Sequence, residues 1–457
     1  MTKLVRTLRF RDLVLLIIGS IIGSGIFLVP GGLLRQVDDS IGIASLVWIA
    51  GGVLSLLGAL SYSELAAMKP EAGGIYVYVR DGFGPLPAFL YGWTMFLAIA
   101  SGTMASLAVA FSTYLGEIVP LGPLAEKIIA IGVIAVITGV NVWGTRHSSD
   151  LQNWTTLAKV LLIVVLCAIL LLLGHGYSAI PGALWTEKIS GSLLSKFGLA
   201  MITVLWAYEG WQFVTYSAGE VIEPQKNFPR ALFSSVLLMV GLYLVTNLGY
   251  LAALGPARAA QSDTIAASSI AFVLGPSAAK LVSLTILISV FSALNTVPLT
   301  APRVFYAMAN DGLFFRKLAE VHPRFHTPAF AIIALGVWSA VMSCMGRFQE
   351  LISYTMFMAW IFYGLGAASV FAYRRKYPGL PRPYRVPGYP WTPLLFILAA
   401  AALVLNVIVS TPKSAAIGLG IVALGLPAYL VWARKRRLPE APALAPAEAK
   451  PTAKPLI

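Results

Sequence analysis

Twelve stretches of the chain are apolar over most of their length and alternate with short polar segments. A helix needs about 20 mostly apolar residues to cross the hydrocarbon layer of a membrane. Backbone groups in lipid must hydrogen-bond within their own segment, and these stretches are too long for barrel strands, so each one predicts a transmembrane helix. We therefore expect an all-α membrane protein with twelve spans. They are Asp12–Leu34, Ala44–Met68, Leu86–Leu115, Ile128–Trp143, Trp154–Leu173, Leu194–Val221, Leu232–Leu254, Ala278–Ala309, Pro328–Cys344, Leu351–Tyr373, Thr392–Val409 and Ala415–Arg434.

Lysine and arginine residues concentrate in every second loop. The loops on the same side as the amino-terminal residues 1–11 carry roughly four times as many as the other loops, as the positive-inside rule describes for cytoplasmic loops. Both termini are therefore predicted to be cytoplasmic, in a multi-pass protein of the cell (inner) membrane. The tail, residues 435–457, is rich in Pro, Ala and Lys and is predicted to be disordered.

Composition excludes several classes of protein. Only 11% of the 457 residues are charged and 58% are apolar, whereas a soluble domain has about 25% charged residues. An ordinary soluble enzyme, a disordered chain and a secreted disulfide scaffold do not fit. The basic loops explain the net charge of +14, so we expect membrane lipid and no nucleic acid as a partner. Cys167 and Cys344 lie in apolar runs and are predicted to be buried thiols.

Glycines interrupt the first span near its middle. Gly19, Gly23 and Gly25 lie within seven residues, and glycine weakens a helix because its backbone has more freedom to lose. The spacing of Gly19 and Gly23 also suits close packing of two membrane helices. The spacing alone does not decide between a broken helix and a packing face.

The sixth span is interrupted in a corresponding place. It contains Glu209 followed by Gly210, and a carboxylate at membrane depth is costly and usually functional. Spans one and six are five apart, which suggests two five-helix repeats, residues 12–173 and 194–373, followed by two helices in residues 392–434. Interrupted helices at matching positions of two halves indicate the binding site of a transporter.

Two broken helices suit a zwitterionic substrate. The amino terminus of a half-helix presents free N–H groups and a positive dipole end to a carboxylate. The carbonyl groups of the unwound segment can accept hydrogen bonds from an ammonium group. The backbone alone would then hold both ends of an amino acid and leave its side chain to a separate pocket.

These motifs resemble the amino acid–polyamine–organocation superfamily of permeases, and within it the L-type amino acid transporters. The resemblance covers about residues 8–435, and the order of its motifs along the chain makes it specific. Its motifs are Gly23-Ser24-Gly25-Ile26-Phe27, Ser63-Glu64-Leu65, Pro70-Glu71-Ala72-Gly73-Gly74-Ile75-Tyr76, Trp206-Ala207-Tyr208-Glu209-Gly210-Trp211, Ser292-Ala293-Leu294-Asn295, the segment from Pro302-Arg303 to Gly312, His322-Pro323-Arg324 with Thr327-Pro328, and the segment from Arg382 to Pro390.

The resemblance implies a LeuT-type fold with two inverted five-helix repeats plus two helices, and alternating access around a site between helices one and six. By position, the substrate carboxylate would meet the amides of Ser24, Gly25 and Ile26. The ammonium would meet carbonyl groups of the two breaks. Trp206 stands where the family has an aromatic gate, although it also suits core packing. The carbonyl groups concerned are those of Ile21, Trp206, Ala207 and Glu209.

Lys159 lies about six residues inside the fifth span, some 9 Å deep at about 1.5 Å per residue. At that depth its ammonium group can extend along the helix to the interface, which is the ordinary behaviour of such a lysine. The resemblance implies another role, because family members that work without sodium carry a lysine here in place of a sodium ion. We expect this second role.

Glu209 leaves the substrate range open. The resemblance places it among members that have an acid here, some of which accept cationic amino acids. An acid that faces the side-chain pocket favours Lys, Arg or ornithine, whereas one paired within the protein leaves small neutral amino acids as substrates. A broad range that includes cationic amino acids is slightly favoured. Gln212, Asn295 and Trp360 are lesser candidates for the pocket, and ordinary contacts between helices explain each of them equally well.

Partners and cofactors follow from what the sequence lacks. Eukaryotic L-type transporters pair with a glycoprotein through a cysteine between helices three and four. The corresponding segment here, Gly116–Lys127, has no cysteine, so the resemblance is to a bacterial, free-standing transporter without a disulfide-linked heavy chain. No Cys/His cluster has metal-ligand spacing and no nucleotide-binding motif is present, so we expect neither a metal nor another cofactor.

The leading hypothesis is a secondary transporter of L-amino acids that works by alternating access, either as a sodium-independent exchanger or coupled to protons. A polyamine or amine transporter of the same fold is the first alternative, because Glu209 would suit an amine. A membrane substrate sensor is an alternative of another class, although a sensor usually has a further signalling domain. An enzyme is not expected, since the spans contain no Ser/His pair, paired aspartates or zinc motif.

Overall fold

A computed structural model of the protein describes residues 4–185, 191–345 and 348–435. Within these ranges the chain is helical, and its only extended pairing is a single parallel bridge between Leu8 and Val221. The predicted disorder of the tail concerns residues that lie outside these ranges, except for Lys435, which ends the last helix.

The helices follow the apolar runs, since main-chain groups surrounded by apolar side chains must pair with one another. The described residues form the helices α1 (Phe10–Ile21), α2 (Gly25–Gln36), α3 (Ile41–Met68), α4 (Ile75–Phe83), α5 (Pro85–Thr94), α6 (Ala100–Ile118), α7 (Pro123–Trp143), α8 (Thr145–Leu173), α9 (Gly191–Ala207), α10 (Pro224–Leu254), α11 (Pro256–Gln261), α12 (Ile265–Leu274), α13 (Ala279–Thr300), α14 (Pro302–Asn310), α15 (Ala329–Met345), α16 (Phe348–Lys376), α17 (Trp391–Ser410) and α18 (Pro412–Lys435). A π-helical turn, Met95–Ile99, joins α5 to α6.

Most of the predicted spans correspond to helices of membrane-spanning length. Among the described residues, nine helices are long and apolar enough to cross a membrane, and the bent pair α1 and α2 makes a tenth. The sixth and ninth predicted spans contain shorter helices, α9 and α15, of 17 residues each. The sixth is short because the helix ends at Ala207, where the interruption was predicted.

The first span is a broken helix rather than a continuous packing helix. The axes of α1 and α2 differ by 43° across the break at residues 22–24. A Cβ atom on Gly25 would lie 2.8 Å from both Cα and Cβ of Ala207, closer than such atoms approach. Glycine at position 25 therefore allows the start of α2 to touch the end of α9.

The second break also depends on a glycine. Gly210 has a φ of +121°, a conformation that other residues rarely adopt, and it lies in the turn that follows α9. Its carbonyl oxygen accepts a hydrogen bond of 3.0 Å from the Ser20 hydroxyl on α1. The chain then continues as a 3₁₀-helix, Phe213–Glu220. The two breaks are thus in direct contact.

Neighbouring helices enclose these breaks. Helix α1 packs against α8, α10 and α13, and α2 packs against α9, α11 and α12. Beside them, Trp48 forms edge-on ring contacts with Tyr208 and Tyr243 at centroid distances of 5.9 and 5.5 Å. These three buried aromatic side chains pack together beside the second break.

The outer surface of the bundle is apolar. Leu161, Leu172 and Val409 are 63%, 82% and 80% exposed, which suits helices whose outer faces meet lipid. Cys167 is buried as predicted, but Cys344 near the end of α15 is exposed, so the prediction that it is buried was wrong. Apolar residues on the outer face of a membrane helix contact lipid. An apolar run therefore does not show whether one of its residues is buried within the protein.

A network of charged side chains lies at one end of the bundle. We call the end that carries Leu8, Arg146, Glu220 and Arg303 the N-terminal face, and the end that carries Arg35 the opposite face. On the N-terminal face an ion-pair network ties α4 to the loop after α14, with Arg80 Nη1 2.9 Å from Asp311 Oδ2 and Lys69 Nζ 3.0 Å from Asp81 Oδ2.

Asp81 remains charged in this network. Burial by itself raises the pKa of the Asp81 carboxyl, but the charges and hydrogen bonds of Arg80 and Lys69 outweigh burial and hold that pKa below its ordinary value. The network therefore persists at physiological pH.

Candidate functional site

A small cavity of about 30 Å³ lies where the two breaks meet. Small-molecule sites usually enclose about 300 Å³ or more, so this cavity is closed around little more than a water-sized space. It is lined by Ser20, Ile21, Gly23, Ser24, Gly25, Thr103, Leu107, Trp206, Glu209, Phe213, Ala293 and Val297. Five of the predicted substrate-binding residues are among them.

The start of α2 offers hydrogen-bond donors to this cavity. The first N–H groups of a helix have no acceptor within the helix, and here they belong to residues that follow the break, including Gly25 and Ile26. The hydroxyl of Ser24 is buried and has no hydrogen-bond partner among the described residues. A buried polar atom without a partner is costly, so the Ser24 hydroxyl indicates a place where a ligand or water binds.

The carbonyl groups of the breaks are already partly used. The hydroxyl of Tyr243, on α10, lies 3.1 Å from the Ile21 carbonyl oxygen and 2.8 Å from that of Ala207. The Trp206 carbonyl accepts a hydrogen bond of 3.2 Å from the amide of Glu209. The Ile21 carbonyl also accepts a hydrogen bond of 2.9 Å from the Gly23 amide. A carbonyl oxygen has two lone pairs, so the Trp206 and Ala207 carbonyls can each accept from a further donor. Tyr243 had escaped the sequence analysis, because a tyrosine in an apolar span gives no functional signal.

Lys159 is fully buried and reaches the first break instead of the surface. Its ammonium nitrogen lies 2.6 Å from the Gly19 carbonyl oxygen, 2.5 Å from that of Ile22 and 3.4 Å from that of Ser289. The Ser289 hydroxyl donates in turn to the Gly23 carbonyl at 2.9 Å. Three carbonyl oxygens around the side-chain nitrogen are of the same chemical kind as the oxygen ligands of a metal ion.

Glu209 lies beside the cavity and is paired within the protein. Its Oε1 accepts hydrogen bonds of 2.5 Å from the Gln212 side chain and 2.5 Å from the Tyr363 hydroxyl on α16. Gln212 Nε2 also lies 2.7 Å from the Tyr363 oxygen, so the three side chains form a closed group. Among the described residues no cation lies within ion-pair distance of Glu209, and Lys159 bonds elsewhere.

Trp206 separates the small cavity from a much larger one. The larger cavity, of about 550 Å³, lies between α2, α9, α16 and α17 on the side of the opposite face. Trp206 lines both cavities, and Trp360 lines only the larger one. The exposed ion pair of Arg35 and Asp263, 2.6 Å long, lines the larger cavity too. Ser24 and Gly25 also line both cavities, so these two residues and Trp206 lie at the boundary between the small cavity and the larger one, which we call the vestibule.

Asn295 lines neither of these cavities. Its side chain accepts a hydrogen bond of 2.8 Å from Asn141 and donates one of 3.1 Å to Gln152. Ser148 contributes a further hydroxyl to this buried network between α7, α8 and α13. The contacts of Asn295 are therefore contacts between helices.

A buried ion pair closes the N-terminal face below the site. Arg303 Nε lies 2.6 Å from Glu220 Oε1, both side chains are 1% exposed, and the Thr145 hydroxyl donates to Glu220 Oε2 at 2.7 Å. The amide nitrogens of Thr7 and Leu8 lie 2.9 and 3.0 Å from the Glu220 carbonyl oxygen. In the sequence Arg303 belongs only to a motif and gives no sign of this pairing, because Glu220 lies 83 positions away. This cluster ties the amino-terminal segment and the beginning of α8 to the beginning of α14.

Comparison with known proteins agrees with this geometry. The family model described as amino acid permease matches residues 8–426. The chain belongs to the amino acid permease family. It is 32% identical over 417 residues to the serine/threonine exchanger SteT of Bacillus subtilis (strain 168), covering 91% of this chain and 94% of the relative.

Two further relatives are mammalian. The permease is 32% identical over 432 residues to the large neutral amino acids transporter small subunit 2 of Rattus norvegicus, covering 92% of this chain and 80% of that one. It is 31% identical over 434 residues to the human cystine/glutamate transporter, covering 92% and 85%. The predicted resemblance and the all-α membrane fold are thereby confirmed. The permease is a multi-pass membrane protein of a transporter family.

Proposed function

We propose that this permease is a secondary transporter that exchanges L-amino acids across the membrane by alternating access, without sodium. The observation that carries the proposal is the contact of two helix breaks at a cavity beside the ammonium group of Lys159. The name of the Bacillus subtilis relative, a serine/threonine exchanger, favours exchange over other forms of coupling.

The proposed substrate site uses mainly backbone groups. The amides of Ser24, Gly25 and Ile26, together with the unpartnered Ser24 hydroxyl, would hold the carboxylate. Carbonyl groups of the breaks would accept hydrogen bonds from the ammonium. They are the carbonyls of Ile21, Trp206, Ala207 and Glu209. Because the cavity is closed around about 30 Å³, binding requires Trp206 to move and connect it to the vestibule.

The proposed independence from sodium rests on Lys159. Its ammonium supplies a positive charge amid the carbonyl oxygens of Gly19, Ile22 and Ser289, where a sodium ion would otherwise be bound. This charge holds α1 against α8 and α13. Movement of α1 during transport must break at least some of these contacts.

Small neutral amino acids are the proposed substrates. Leu107, Phe213 and Val297 give the small cavity an apolar wall, and the neutral donors Gln212 and Tyr363 already satisfy Glu209 Oε1. A polyamine would leave the amides of α2 without a carboxylate. Because Glu209 is an acid, cationic amino acids and amines remain alternative substrates. Competition of labelled serine uptake by amino acids and amines distinguishes these alternatives.

Alternating access would proceed from the observed arrangement, which is closed at the N-terminal face and open towards the opposite face. Basic residues on the N-terminal face support a cytoplasmic location for that face and for both termini, in the cell inner membrane. Movement of residues 12–173 relative to residues 194–373, as two inverted repeats, would break the hydrogen bonds that join Thr145 to Glu220 and Arg303. The permease would work without a disulfide-linked heavy chain.

Uptake by proteoliposomes tests this proposal. Purified permease alone is reconstituted, and entry of labelled serine, alanine and leucine is followed in choline buffer, with or without internal unlabelled amino acid. Exchange predicts rapid entry only when the vesicles contain amino acid. Entry that needs sodium contradicts the proposal, entry driven by a proton gradient into empty vesicles indicates proton coupling, and specific binding without entry indicates a sensor.

A further inference from the structure

A third cavity, apart from the substrate site, opens on the N-terminal face. It is a groove of about 620 Å³ between the beginning of α10 and the segment that joins α16 to α17. Its lining combines two basic residues with apolar and aromatic ones: Leu60, Gln225, Lys226, Pro229, Arg230, Phe233, Pro383, Tyr384 and Pro387. Neither the proposed transport mechanism nor the family assignment uses this groove.

The groove carries two exposed basic side chains, of which only Lys226 has a carboxylate within 4 Å among the described residues. Lys226 and Arg230 are four residues apart on α10, so they lie on the same face of the helix, and both are exposed. The nearest carboxylate to Lys226 belongs to Glu223, at 3.9 Å between two exposed side chains. No acidic side chain lies within 4 Å of Arg230 in the described part of the chain. An anion in the groove would meet both charges.

The depth of the groove matches the boundary between lipid headgroups and acyl chains. Phe233 lies about 4.5 Å further along α10 than Arg230, at about 1.5 Å per residue, and it is 46% exposed. Leu237, one turn beyond, is 54% exposed. The headgroup region on each side of a membrane is about 5–7 Å thick. Basic groups in that region and exposed apolar groups directly beyond it are complementary to a phospholipid.

The far wall of the groove supplies a neutral donor. Burial raises the pKa of Tyr384 to about 12, with a smaller contribution from Glu64, so its hydroxyl keeps its proton at physiological pH. Pro383 and Pro387 on the same wall have no N–H group, and their rings are rigid apolar surfaces. A phosphate would therefore find charges on one wall and a hydroxyl on the other.

We propose that the groove binds one anionic phospholipid of the leaflet next to the N-terminal face, with its phosphate between Lys226, Arg230 and Tyr384 and an acyl chain along Phe233. Basic pockets at the cytoplasmic ends of membrane helices are known to bind acidic headgroups. The lipid would link α10 to the segment between α16 and α17.

Native mass spectrometry of the full-length permease in detergent tests the proposal. Phosphatidylglycerol and phosphatidylcholine are titrated separately onto the wild type, the pair variant Lys226→Gln/Arg230→Gln and a control, Arg316→Gln/Lys317→Gln. The control removes two exposed charges from the same face outside the groove. Each basic residue near an anionic headgroup contributes about fivefold in affinity, so the pair variant should bind phosphatidylglycerol about 30-fold more weakly.

A charge-conserving variant and a phosphate competition complete the design. Lys226→Arg/Arg230→Lys should bind like the wild type, and the thermal midpoint of each variant reports whether it is folded. The proposal is overturned if the pair variant binds phosphatidylglycerol as tightly as the wild type, or if the control loses as much affinity. Equal binding of phosphatidylcholine, or displacement of the lipid by an equal concentration of inorganic phosphate, would also overturn it.

Discussion

The hydroxyl of Tyr243 lies 2.8 Å from the carbonyl oxygen of Ala207, the last residue of α9. The same hydroxyl lies 3.1 Å from the carbonyl oxygen of Ile21, the last residue of α1. One fully buried side chain on α10 therefore joins the ends of both broken helices. The carbonyl groups of a broken helix need such donors, since no further turn of helix follows to supply them.

Removing this hydroxyl should weaken both breaks. Tyr243→Phe removes the hydroxyl from the Ala207 carbonyl and leaves the Ile21 carbonyl with the Gly23 amide as its donor, and we expect a loss of about 1–3 kcal/mol in the free energy of unfolding together with a higher KM. The thermal midpoint in detergent and uptake kinetics measure these effects. Tyr250→Phe is the control, because the buried Tyr250 hydroxyl has no hydrogen-bond partner among the described residues. Equal stability of the two variants would contradict the assigned role of Tyr243.

Lys159 should be indispensable for transport. Lys159→Gln removes the charge from among three carbonyl oxygens, so we expect initial uptake to fall at least tenfold, about 1.4 kcal/mol. Wild-type uptake should be unchanged when choline replaces sodium in the buffer. Lys280→Gln, an exposed lysine at the beginning of α13, is the matched control. Near-normal uptake by Lys159→Gln would mean that the lysine has only a packing role.

The two glycines of the first break should differ in their tolerance of a methyl group. Gly25→Ala places a Cβ atom 2.8 Å from the Ala207 backbone, so the breaks must separate and the amides must shift, which raises KM for amino acids. Gly23→Ala meets only Ala293 Cβ at 3.8 Å, an ordinary contact, and should behave nearly like the wild type. The KM of each variant is measured from uptake kinetics at matched expression. A normal KM in Gly25→Ala would contradict the backbone site.

The closure of the N-terminal face should depend on the buried pair. Glu220→Gln leaves the Arg303 guanidinium buried without its carboxylate, and such a loss costs about 3–5 kcal/mol. The variant should show a lower thermal midpoint than the wild type. Asp263→Asn, which breaks the exposed pair with Arg35, should cost at most about 1 kcal/mol. If the two variants lose equal stability, the buried pair does not hold the closed arrangement.

We expect Glu209 to have little influence on which amino acids the permease binds. Because Gln212 and Tyr363 already donate to it, Lys, Arg and ornithine should not compete with labelled serine in the wild type. Glu209→Gln should retain uptake of neutral amino acids with the same order of preference. Competition by a panel of twenty amino acids, ornithine and putrescine measures this. Strong competition by lysine that disappears in Glu209→Gln would instead place the acid in the side-chain pocket.

Much of the fold was predictable from the sequence by itself. Apolar runs of about 20 residues predicted the helices, because in lipid a backbone has few alternatives to pairing within its own segment. Glu209 and Gly210 indicated the interruption of the sixth span, whereas the glycines of the first span left a break and a packing face equally open until the structure showed the break. The sequence thereby determined the fold class.

Only the tertiary structure decided which side chains meet there. Tyr243 is one tyrosine among 18, and its position between Ile21 and Ala207 depends on how α10 packs against α1. Glu220 and Arg303 are 83 positions apart, and no sequence pattern indicates that they form an ion pair. Exposure of Cys344 likewise depends on which face of α15 has neighbours. Hydrophobic patterning acts along the chain, whereas hydrogen bonds and ion pairs act between atoms that only packing brings together.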